Sequence, residues 1–525
     1  MIRLQSYVED RWEAGSGDPA TLVNPSTEEP IAQTTTGGID FQACLQHARQ
    51  AGGPALRALS FAERGELLKQ MSRALHAHRE ELISVSTLNN GATRGDAKFD
   101  IDGATGTLAS YAYLGKSLGD RRYLADGDAL ELVPKRPRFV GQHVRMPMHG
   151  AAVHVNAFNF PAWGVFEKAA VALLAGVPVI TKPATATSLI SYRMMQIIVD
   201  AGILPSGALS MICGSTGDLL EHLGPQDALA FTGSASTGTY LRGLENMLAR
   251  SVRVNVEADS LNAAVLGPDV ELGDELWHLF VRNVVTDMRQ KTGQKCTAIR
   301  RVLVPSGRVD ELCEAVSEEL ARIVVGDPST DGVTMGPVAT AAQHADVRAG
   351  INRLAEQTSL VCGGSDPVQG QGAPEGKGFY IAPTLLRADD ARAASEVHRH
   401  EVFGPCATVL PYDGTATEGA SLVGLGQGCL VSSIYTDDRA WMKTMLEEAS
   451  PWCGRLLAAS TKVADQTLAP GMVLPTLVHG GPGRAGGGEE LGGARGLEFY
   501  TQRTAIQGDS GLLGKLLGTR TKKGG

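Results

Sequence analysis

The sequence of 525 residues has no long apolar run, no closely spaced cysteine pair and no basic block. Its best apolar candidate, Ala169 to Thr181, falls short of the roughly 18 residues that span a bilayer, so no membrane-spanning segment is expected. The eight cysteines form no CxxC pair, which argues against a structural zinc site and predicts reduced thiols. A formal net charge of −9 without a basic cluster argues against nucleic acid as a partner.

The composition is typical of an ordinary soluble globular protein, with 43% hydrophobic and 20% charged residues. The first residues, Met1 to Glu13, mix charged and apolar side chains without the apolar core of an export signal, so we expect a cytoplasmic protein. The chain is too long for a single compact core, and two or three packed units are expected.

Strand-like and helical segments alternate along the chain, which predicts an α/β fold with doubly wound parallel sheets. One alternating series covers Ala151 to Val256, and a second runs from about Ala263 to Met472. Ligands bind at the carboxyl ends of the strands in such sheets. Four residues fall at these ends in the first series: Asn159, Lys182, Gly233 and Glu257.

Cys296 stands out among the cysteines because it follows a glycine-containing turn, Gly293-Gln294-Lys295. Such a turn can expose a thiol, and a thiolate at a helix N-terminus has its pKa lowered from about 8.5. By composition alone, a single cysteine is more often an inert buried thiol than a nucleophile. The other motifs of the chain decide between these two interpretations.

Five further motifs accompany Gly293-Gln294-Lys295-Cys296 along the chain. They are Asn159-Phe160-Pro161, Thr181-Lys182-Pro183-Ala184, Phe231-Thr232-Gly233-Ser234 with Gly238, Val256-Glu257-Ala258, and Glu401-Val402-Phe403-Gly404-Pro405. In order and in spacing, the six resemble the signatures of the aldehyde dehydrogenase superfamily over nearly the whole chain. Each motif alone is weak evidence, but together they identify the chain as a member of that family.

The chemistry of these residues agrees with the resemblance. An aldehyde has no leaving group except hydride, so its oxidation first needs a nucleophile that forms a tetrahedral adduct. Cys296 would add to the carbonyl, and Asn159 with the Cys296 backbone N–H would stabilise the oxyanion by roughly 3 to 4 kcal/mol per donor. Glu257 would then activate water to hydrolyse the thioester, for a rate factor of roughly 10² to 10⁴. In isolation, Asn159 would be taken for a turn former and Glu257 for a solvated carboxylate.

The segment after the predicted strand Ala228 to Phe231 suits a dinucleotide. Gly233 and Gly238 let the backbone approach the cofactor, and Ser234 can donate to a phosphate at the following helix N-terminus. A Walker A interpretation fails, because Thr239 and not lysine follows Gly238.

The resemblance also implies the remaining cofactor contacts. Lys182 would contact the adenosine ribose, Glu401 would hold the nicotinamide-ribose hydroxyls, and Phe403 would lie beside the nicotinamide ring. Many NAD-using relatives have glutamate directly after Lys-Pro-Ala, where this chain has Thr185. Without that carboxylate, Lys182 is free to pair with a 2′-phosphate, so we predict NADP over NAD.

The glycine-rich segment His479 to Gly496 is expected to be loop, because so much glycine does not sustain a helix or strand. With Gln502 to Gly508, it resembles the family branch that acts on acyl-CoA semialdehydes in aerobic aromatic ring cleavage. That branch implies NADP-dependent oxidation of a CoA-linked semialdehyde in benzoate breakdown. Open alternatives are a semialdehyde dehydrogenase of phenylacetate breakdown, a general aldehyde dehydrogenase, a CoA-acylating enzyme, or a non-catalytic protein on the same scaffold.

Two other patterns suggest different sites and are set aside. Gly481 to Gly486 fits GxGxxG, but its glycine-rich continuation does not open a helix as a dinucleotide fingerprint requires. His398-Arg399-His400 could supply metal ligands, yet no second His or Cys cluster completes a site, so no metal is expected.

The domain organisation follows from the alternation and the resemblance. We predict a cofactor-binding domain over residues 1–258, a catalytic thiol domain over 259–472, a return segment over 473–510 and a mobile tail over 511–525. The strand-like segments Phe139 to Met146 and Phe499 to Ile506 resemble the family's small oligomerisation sheet, to which residues 121–150 contribute. An exposed sheet edge favours self-association, and we expect a homodimer.

Overall fold

The computed structural model describes residues 1–517. The strands in this range are β1 (Ile2–Arg3), β2 (Ser6–Val8), β3 (Arg11–Glu13), β4 (Ala20–Val23), β5 (Pro30–Thr34), β6 (Leu124–Glu131), β7 (Phe139–Pro147), β8 (Ala152–Val155), β9 (Val179–Lys182), β10 (Leu209–Met211), β11 (Ala228–Thr232), β12 (Arg253–Glu257), β13 (Asn262–Leu266), β14 (Ile299–Pro305), β15 (Ser359–Cys362), β16 (Thr384–Arg387), β17 (Cys406–Tyr412), β18 (Cys429–Tyr435), β19 (Cys453–Ala459), β20 (Val478–Gly480), β21 (Glu489–Leu491) and β22 (Thr501–Asp509).

The α-helices of the same range are α1 (Phe41–His47), α2 (Gly53–Ala58), α3 (Phe61–Ala77), α4 (Arg79–Asn90), α5 (Arg94–Leu118), α6 (Trp163–Ala175), α7 (Ser188–Asp200), α8 (Ala235–Arg242), α9 (Glu245–Ala249), α10 (Glu275–Arg289), α11 (Val309–Leu320), α12 (Ala341–Ala355), α13 (Ala416–Leu425), α14 (Arg439–Ala449) and α15 (Ser510–Leu517). None of them is both long and apolar enough to cross a bilayer.

The first large sheet has the strand order β12-β11-β8-β9-β10-β2-β3. Strands β8 to β12 are parallel, whereas β2 and β3 are antiparallel at one edge. The chain runs from β8 outward through β9 and β10, then crosses to the other side of β8 for β11 and β12. The order therefore reverses between β8 and β11, and the carboxyl ends of these two strands form the ligand crevice of a doubly wound sheet.

The second large sheet has the strand order β15-β16-β17-β14-β13-β18-β19. All its pairs are parallel except the edge strand β15, which runs antiparallel to β16. The two doubly wound sheets predicted from the alternation are thus confirmed. The chain passes from the first sheet to the second between β12 and β13.

Helix α6 lies in the core of the first unit and carries the segment of Asn159 at its N-terminal side. Nearly all of its residues are buried, as expected for a helix that is apolar except at Glu167 and Lys168. Asp100 of α5 accepts hydrogen bonds from the backbone N–H groups of Ala162, at 3.3 Å, and Trp163, at 2.7 Å. This buried carboxylate caps the positive end of α6 and fixes the turn that follows Asn159.

A separate three-stranded sheet combines residues from distant parts of the chain. Strand β22 pairs antiparallel with β7 along its full length, and β7 pairs with β6. Helix α15 follows β22 over Ser510–Leu517, with Leu513 buried, in a segment that the sequence assigns to a mobile tail. The rest of that predicted tail, residues 518–525, lies outside the described residues.

The glycine-rich segment is not loop throughout, so that prediction is wrong for two parts of it. Strands β20 and β21 pair antiparallel, with His479 opposite Glu490. The glycines lie mainly in the connection, where Gly483, Gly486 and Gly487 have positive φ angles. A high glycine content over the whole segment does not exclude strands as short as these two, which have three residues each.

Candidate active site

Residues 291–296, which we call the nucleophile turn, connect the end of α10 to β14 and end at the cysteine. Gly293 has φ 67°, and a Cβ there would overlap a backbone carbonyl just before β17, so only glycine fits. Lys295 donates to Asp287 at 2.6 Å in a fully buried ion pair. Arg300 donates to the carbonyl oxygens of Gly293, at 2.9 Å, and Lys295, at 3.1 Å. The backbone of the turn is therefore held from two sides.

The Cys296 thiol points into a cluster of ionisable groups. Its Sγ, a Glu257 carboxylate oxygen and a His479 ring nitrogen all lie within 4.8 Å of one another. Burial raises the pKa of the thiol well above its usual value, and the negative charge of Glu257 raises this pKa further. A strand and not a helix follows Cys296, so the lowered pKa expected from a helix N-terminus is wrong. At rest the residue is a thiol that needs a base.

Asn159 comes from the other sheet and lies against the nucleophile turn. Its Nδ2 donates to the carbonyl oxygen of Gln294 at 3.0 Å, across 135 residues of sequence. Asn159 and Cys296 line the same cavity. Because a primary amide has two N–H donors, one can hold the turn while the other serves a substrate oxyanion.

Glu257 is the last residue of β12 and is buried beside the thiol. Its Oε2 lies 3.0 Å from Nε2 of His479. Burial alone would raise the pKa of Glu257, but His479, Lys168 and the hydrogen bond from Cys296 together lower this pKa well below its usual value. At rest Glu257 is therefore a carboxylate in contact with the thiol, placed to accept its proton.

A buried charged cluster, which none of the sequence motifs predicts, lies behind Glu257. Lys168 in the middle of α6 forms ion pairs with Glu167, at 2.9 Å, and with Glu490 of β21, at 3.1 Å. Burial would lower the pKa of Lys168, but the two carboxylates raise it instead. A signal was present, because Glu167 and Lys168 are adjacent charged residues in an otherwise apolar helix, and buried charges require partners.

A narrow apolar passage leads away from Cys296. Its aromatic walls are the side chains of Phe99, Phe160 and Trp163, whose rings pack edge to face. An outer cavity of about 380 Å³ shares Phe99 and Trp163 and continues along α5, past Gly103 and Gly106. A Cβ at Gly103 would overlap the indole ring, whereas Gly106 has no neighbour within 4 Å. The inner part beside Cys296 has room for only about 30 Å³, whereas the outer cavity has room for an extended apolar chain.

Another cavity, of about 370 Å³, also reaches Cys296 and includes several residues expected to bind the cofactor. Its walls contain Asn159, Gly233, Ser234, Glu257, Glu401 and Phe403. Ser234 begins helix α8, and its Oγ accepts from the Thr237 N–H at 3.3 Å. A Cβ at Gly233 would lie 2.5 Å from the Phe231 ring. A helix N-terminus at one end and the thiol at the other fit a dinucleotide whose phosphate and nicotinamide are far apart.

Glu401 and Phe403 lie at the end of this cavity near the nucleophile turn. Glu401 accepts from the Ser260 N–H at 3.0 Å and lies 3.4 Å from Arg300 Nε. Burial raises the pKa of Glu401 to about 7, although Arg300 opposes this effect. The Phe403 ring packs edge-on against Phe158, with centroids 5.8 Å apart.

Three other residues predicted to bind the cofactor, Lys182, Thr185 and Gly238, are not among the residues that line this cavity. Lys182 ends β9, and burial lowers the pKa of its amine. Thr185 donates to the Gly214 carbonyl at 3.3 Å, next to Ala184 on the cavity wall. A Cβ at Gly238 would lie 2.7 Å from Val256 Cγ1, so the absence of a side chain here lets α8 pack closely on β12, and the cofactor contact of this glycine stays a prediction.

The histidine pattern set aside on sequence grounds has a structural explanation. His398 is buried, with its two ring nitrogens bonded to Arg301, at 3.1 Å, and to the Ala391 carbonyl, at 2.7 Å. Gly481 to Gly486 form the connection between β20 and β21. Neither pattern belongs to a dinucleotide fingerprint or to a metal cluster in the part of the chain that the structure describes.

The first sheet reverses its strand order at β8 and β11, and a thiol, an amide and a carboxylate meet there. Together these features define the class of protein. Residues 12–506 match the aldehyde dehydrogenase family, and the chain belongs to it. The protein is an oxidoreductase that acts on aldehydes, and members of this family use NAD or NADP. The family and fold expected from the six motifs are confirmed.

The chain is similar to characterised enzymes over most of its length. It is 44% identical to 3,4-dehydroadipyl-CoA semialdehyde dehydrogenase of Aromatoleum evansii over 481 residues, which are 92% of this chain and 93% of that protein. It is 26% identical to the NADP(+) succinate-semialdehyde dehydrogenase of Escherichia coli strain K12, covering 79% of this chain and 82% of that protein.

Solved structures show the same fold. Lactaldehyde dehydrogenase from Escherichia coli superposes with a TM-score of 0.82 at 22% identity, covering 96% of this chain and 99% of that one. A mutant of aldehyde dehydrogenase C from Pseudomonas syringae, complexed with NAD+ and octanal, has a TM-score of 0.78 at 25% identity, covering 96% of each chain.

Proposed function

We propose that this protein uses NADP to oxidise a CoA-linked semialdehyde, such as 3,4-dehydroadipyl-CoA semialdehyde, to its carboxylic acid during benzoate breakdown. The observation that carries this proposal is the position of Cys296, Asn159 and Glu257 where a dinucleotide-sized cavity meets an apolar passage. The 44% identity to the Aromatoleum evansii enzyme supports the choice of substrate.

In the first half of the reaction, Cys296 becomes the nucleophile. The thiol gives its proton to Glu257, and the thiolate adds to the aldehyde carbon. The new oxyanion accepts hydrogen bonds from the Asn159 side chain and the Cys296 backbone N–H, each worth roughly 3 to 4 kcal/mol in comparable sites. Loss of the thiolate from the resulting thiohemiacetal would only return the aldehyde, so oxidation goes forward by loss of hydride.

Bound NADP supplies the hydride acceptor. Ser234 at the start of α8 would contact a phosphate, Glu401 and Phe403 would hold the nicotinamide end, and Lys182 would pair with the 2′-phosphate. Cys296 is left as a thioester. Glu257 must first lose the proton that it took from the thiol, and it then removes a proton from water. The hydroxide adds to the thioester carbon, and the carbon–sulfur bond breaks to release the acid.

The shape of the passage supports a long substrate. From Cys296 it continues between Phe99 and Trp163 to the outer cavity beside Gly106. A semialdehyde attached to CoA can place its aldehyde at the thiol while its acyl chain fills this passage. NADPH formation with 3,4-dehydroadipyl-CoA semialdehyde and with a free aldehyde of equal chain length tests the proposal, and a higher kcat/KM for the free aldehyde would refute it.

Two further assays separate the alternatives. We expect kcat/KM to be higher with NADP than with NAD, because Thr185 replaces a carboxylate that would repel the 2′-phosphate. A clear preference for NAD would refute this part of the proposal. Turnover without free CoA is expected because Glu257 supports hydrolysis, whereas a requirement for free CoA would indicate an acylating enzyme.

We also infer a homodimer in the cytoplasm. The sheet β22-β7-β6 has exposed apolar side chains near one end, including Leu130, Leu132 and Phe139, which a second copy would cover. All eight cysteines are free, which suits a reducing compartment. Sedimentation of the purified protein tests the dimer, and a monomer at micromolar concentration would contradict it.

A further inference from the structure

His479 is a buried histidine to which the reaction described above gives no role. It lies in β20, and its side chain is 3% exposed. Its Nε2 lies 3.0 Å from Oε2 of Glu257, whose side chain is equally buried. An imidazole at this distance from a catalytic carboxylate changes both the orientation and the ionisation of that carboxylate.

The hairpin that carries His479 is bonded directly to the strand that carries the base. Asn255 of β12 accepts from the Glu489 N–H at 3.0 Å through its side-chain oxygen. The N–H of Ala258, directly after β12, donates to the Ala485 carbonyl at 3.0 Å. These bonds fix the position of the imidazole relative to the carboxylate.

Several ionisable groups lie near His479. Burial lowers the pKa of its imidazole, but Glu257 outweighs burial and raises this pKa. Within residues 1–517, neither Nδ1 of His479 nor Oε2 of Glu257 has a hydrogen-bond partner, so the 3.0 Å contact between the two side chains acts mainly through charge. The ionisable groups that face the pair come from five elements: Glu257 on β12, Cys296 in the nucleophile turn, Glu167 and Lys168 on α6, Arg455 on β19, and Glu490 on β21.

We propose, on the basis of the roles given above to Glu257 and Cys296, that His479 is a positioning residue that holds the Glu257 carboxylate beside Cys296 and sets the pH range in which it acts as a base. When His479 is protonated, its charge stabilises the carboxylate and weakens it as a base. When His479 loses its proton, Glu257 becomes a stronger base, and hydrolysis of the thioester accelerates.

The test follows deacylation as a function of pH, without the cofactor. The full-length enzyme is acylated at Cys296 with 4-nitrophenyl acetate, and release of the acyl group is measured for the wild type, His479→Phe and His479→Gln. In the wild type, the deacylation rate is expected to increase with pH as His479 loses its proton, and both variants lack this ionisation. In His479→Phe, the acidic limb is expected to move up by about one pH unit or more, because a buried carboxyl group loses its cationic partner.

The glutamine variant separates positioning from general damage. Its side-chain amide can donate to Glu257 but does not titrate, so deacylation at neutral pH is expected to recover towards the wild-type rate without the His479 ionisation. His398→Gln, which removes a buried imidazole bonded to Arg301 and not to Glu257, is the matched control and should keep the wild-type pH profile. Identical pH profiles for the wild type and both His479 variants would overturn the proposal.

A further variant distinguishes this inference from the proposed function itself. If Glu257→Gln deacylates like the wild type, the base assignment and the inference fall together. If Glu257→Gln loses deacylation while His479→Phe keeps the wild-type pH profile, only the role of His479 is refuted. If His479→Phe does not fold, persistence of the wild-type ionisation in His479→Gln is the refuting result.

Discussion

The nucleophile turn and the β20–β21 hairpin both depend on glycine and both border Glu257, but they are held in place differently. The turn is fixed by charged side chains, with Lys295 paired to Asp287 and Arg300 bonded to two backbone carbonyls. The hairpin is held by close backbone packing on β12, which is possible because its glycines carry no side chains. A Cβ at Gly486 would overlap the Val256 carbonyl oxygen, and one at Gly488 would lie 2.6 Å from the same atom.

This difference explains why one region is recognisable in the sequence and the other is not. A turn built around Gly293, Lys295 and Cys296 needs particular residue types at particular positions, and these form a short motif. A hairpin that presses its backbone onto β12 needs mainly small residues, which also occur in ordinary loops. The functional residue that the hairpin carries, His479, has no neighbouring motif to identify it.

The largest expected effect lies in the nucleophile turn. Cys296→Ala should reduce aldehyde oxidation by a factor of about 10⁴ to 10⁶, because no other thiol can form the adduct. The rapid phase of NADPH formation, measured in a single turnover, should disappear as well. Cys362→Ala, which removes another partly exposed thiol, should leave this phase intact. A remaining rapid phase in Cys296→Ala would identify a different nucleophile.

Removing the charge that anchors the turn should have the next largest effect. Lys295→Met leaves Asp287 buried without its ion pair, which should lower the free energy of unfolding by about 3–5 kcal/mol. Denaturant unfolding measures this loss. Lys443→Met, which breaks the exposed pair with Glu447, should leave the midpoint nearly unchanged. Equal midpoints for the two variants would show that charge does not hold the turn.

A methyl group added in the hairpin should lower the free energy of unfolding less than the loss of the Lys295 charge does. Gly488→Ala brings a Cβ within 2.6 Å of the Val256 carbonyl oxygen and should destabilise the protein by about 1–3 kcal/mol. Deacylation should slow as well, because β21 and β20 move away from Glu257. Gly307→Ala, at a position with no neighbour within 4 Å, is the matched control. Wild-type stability and deacylation in Gly488→Ala would contradict the close approach of the hairpin.

The smallest expected effect concerns Glu401, which contacts Arg300 behind the nucleophile turn. Its pKa is raised to about 7, so it is mostly neutral below this pH and ionised above it. Ionisation should improve hydrogen bonding to the ribose hydroxyls, so NADP affinity should rise roughly fivefold as the pH increases through about 7. Because a buried carboxyl with a raised pKa binds its proton more tightly in the folded state, stability without cofactor should fall as the pH rises from the ordinary glutamate pKa towards 7.

Glu401→Gln cannot titrate and should remove both pH effects. Fluorescence titration with NADP at several pH values measures the first, and thermal unfolding of the free enzyme measures the second. The same pH dependence in Glu401→Gln and in the wild type would show that another group is responsible.

Much of the architecture could be predicted because alternation and motif order are properties of the chain itself. The strands that end near Asn159 and at Glu257 were visible as apolar runs, and both residues line the same cavity as Cys296. The ionisation state of the thiol could not be predicted. It depends on burial and on the charge of Glu257, and both arise only when the two sheets meet.

The buried polar cluster shows the other limit of sequence reasoning. Lys168, Glu490 and His479 come from α6, β21 and β20, and no spacing in the sequence indicates that they converge. Gly238 shows that a motif residue can also serve packing, since a Cβ there would lie 2.7 Å from Val256 Cγ1. A motif identifies which residues matter, while the contacts decide what each one does.

Gly106 gives the substrate passage a simple route to a new specificity. It lines the outer cavity, and a Cβ added there would have no neighbouring atom within 4 Å. A side chain at this position can therefore begin without a steric clash. Such a side chain would narrow the outer cavity, which the proposed function fills with an acyl chain, and would leave Cys296 and its neighbours untouched. Under that proposal, a single codon change at this position would turn a lineage from long acyl chains towards short, free aldehydes.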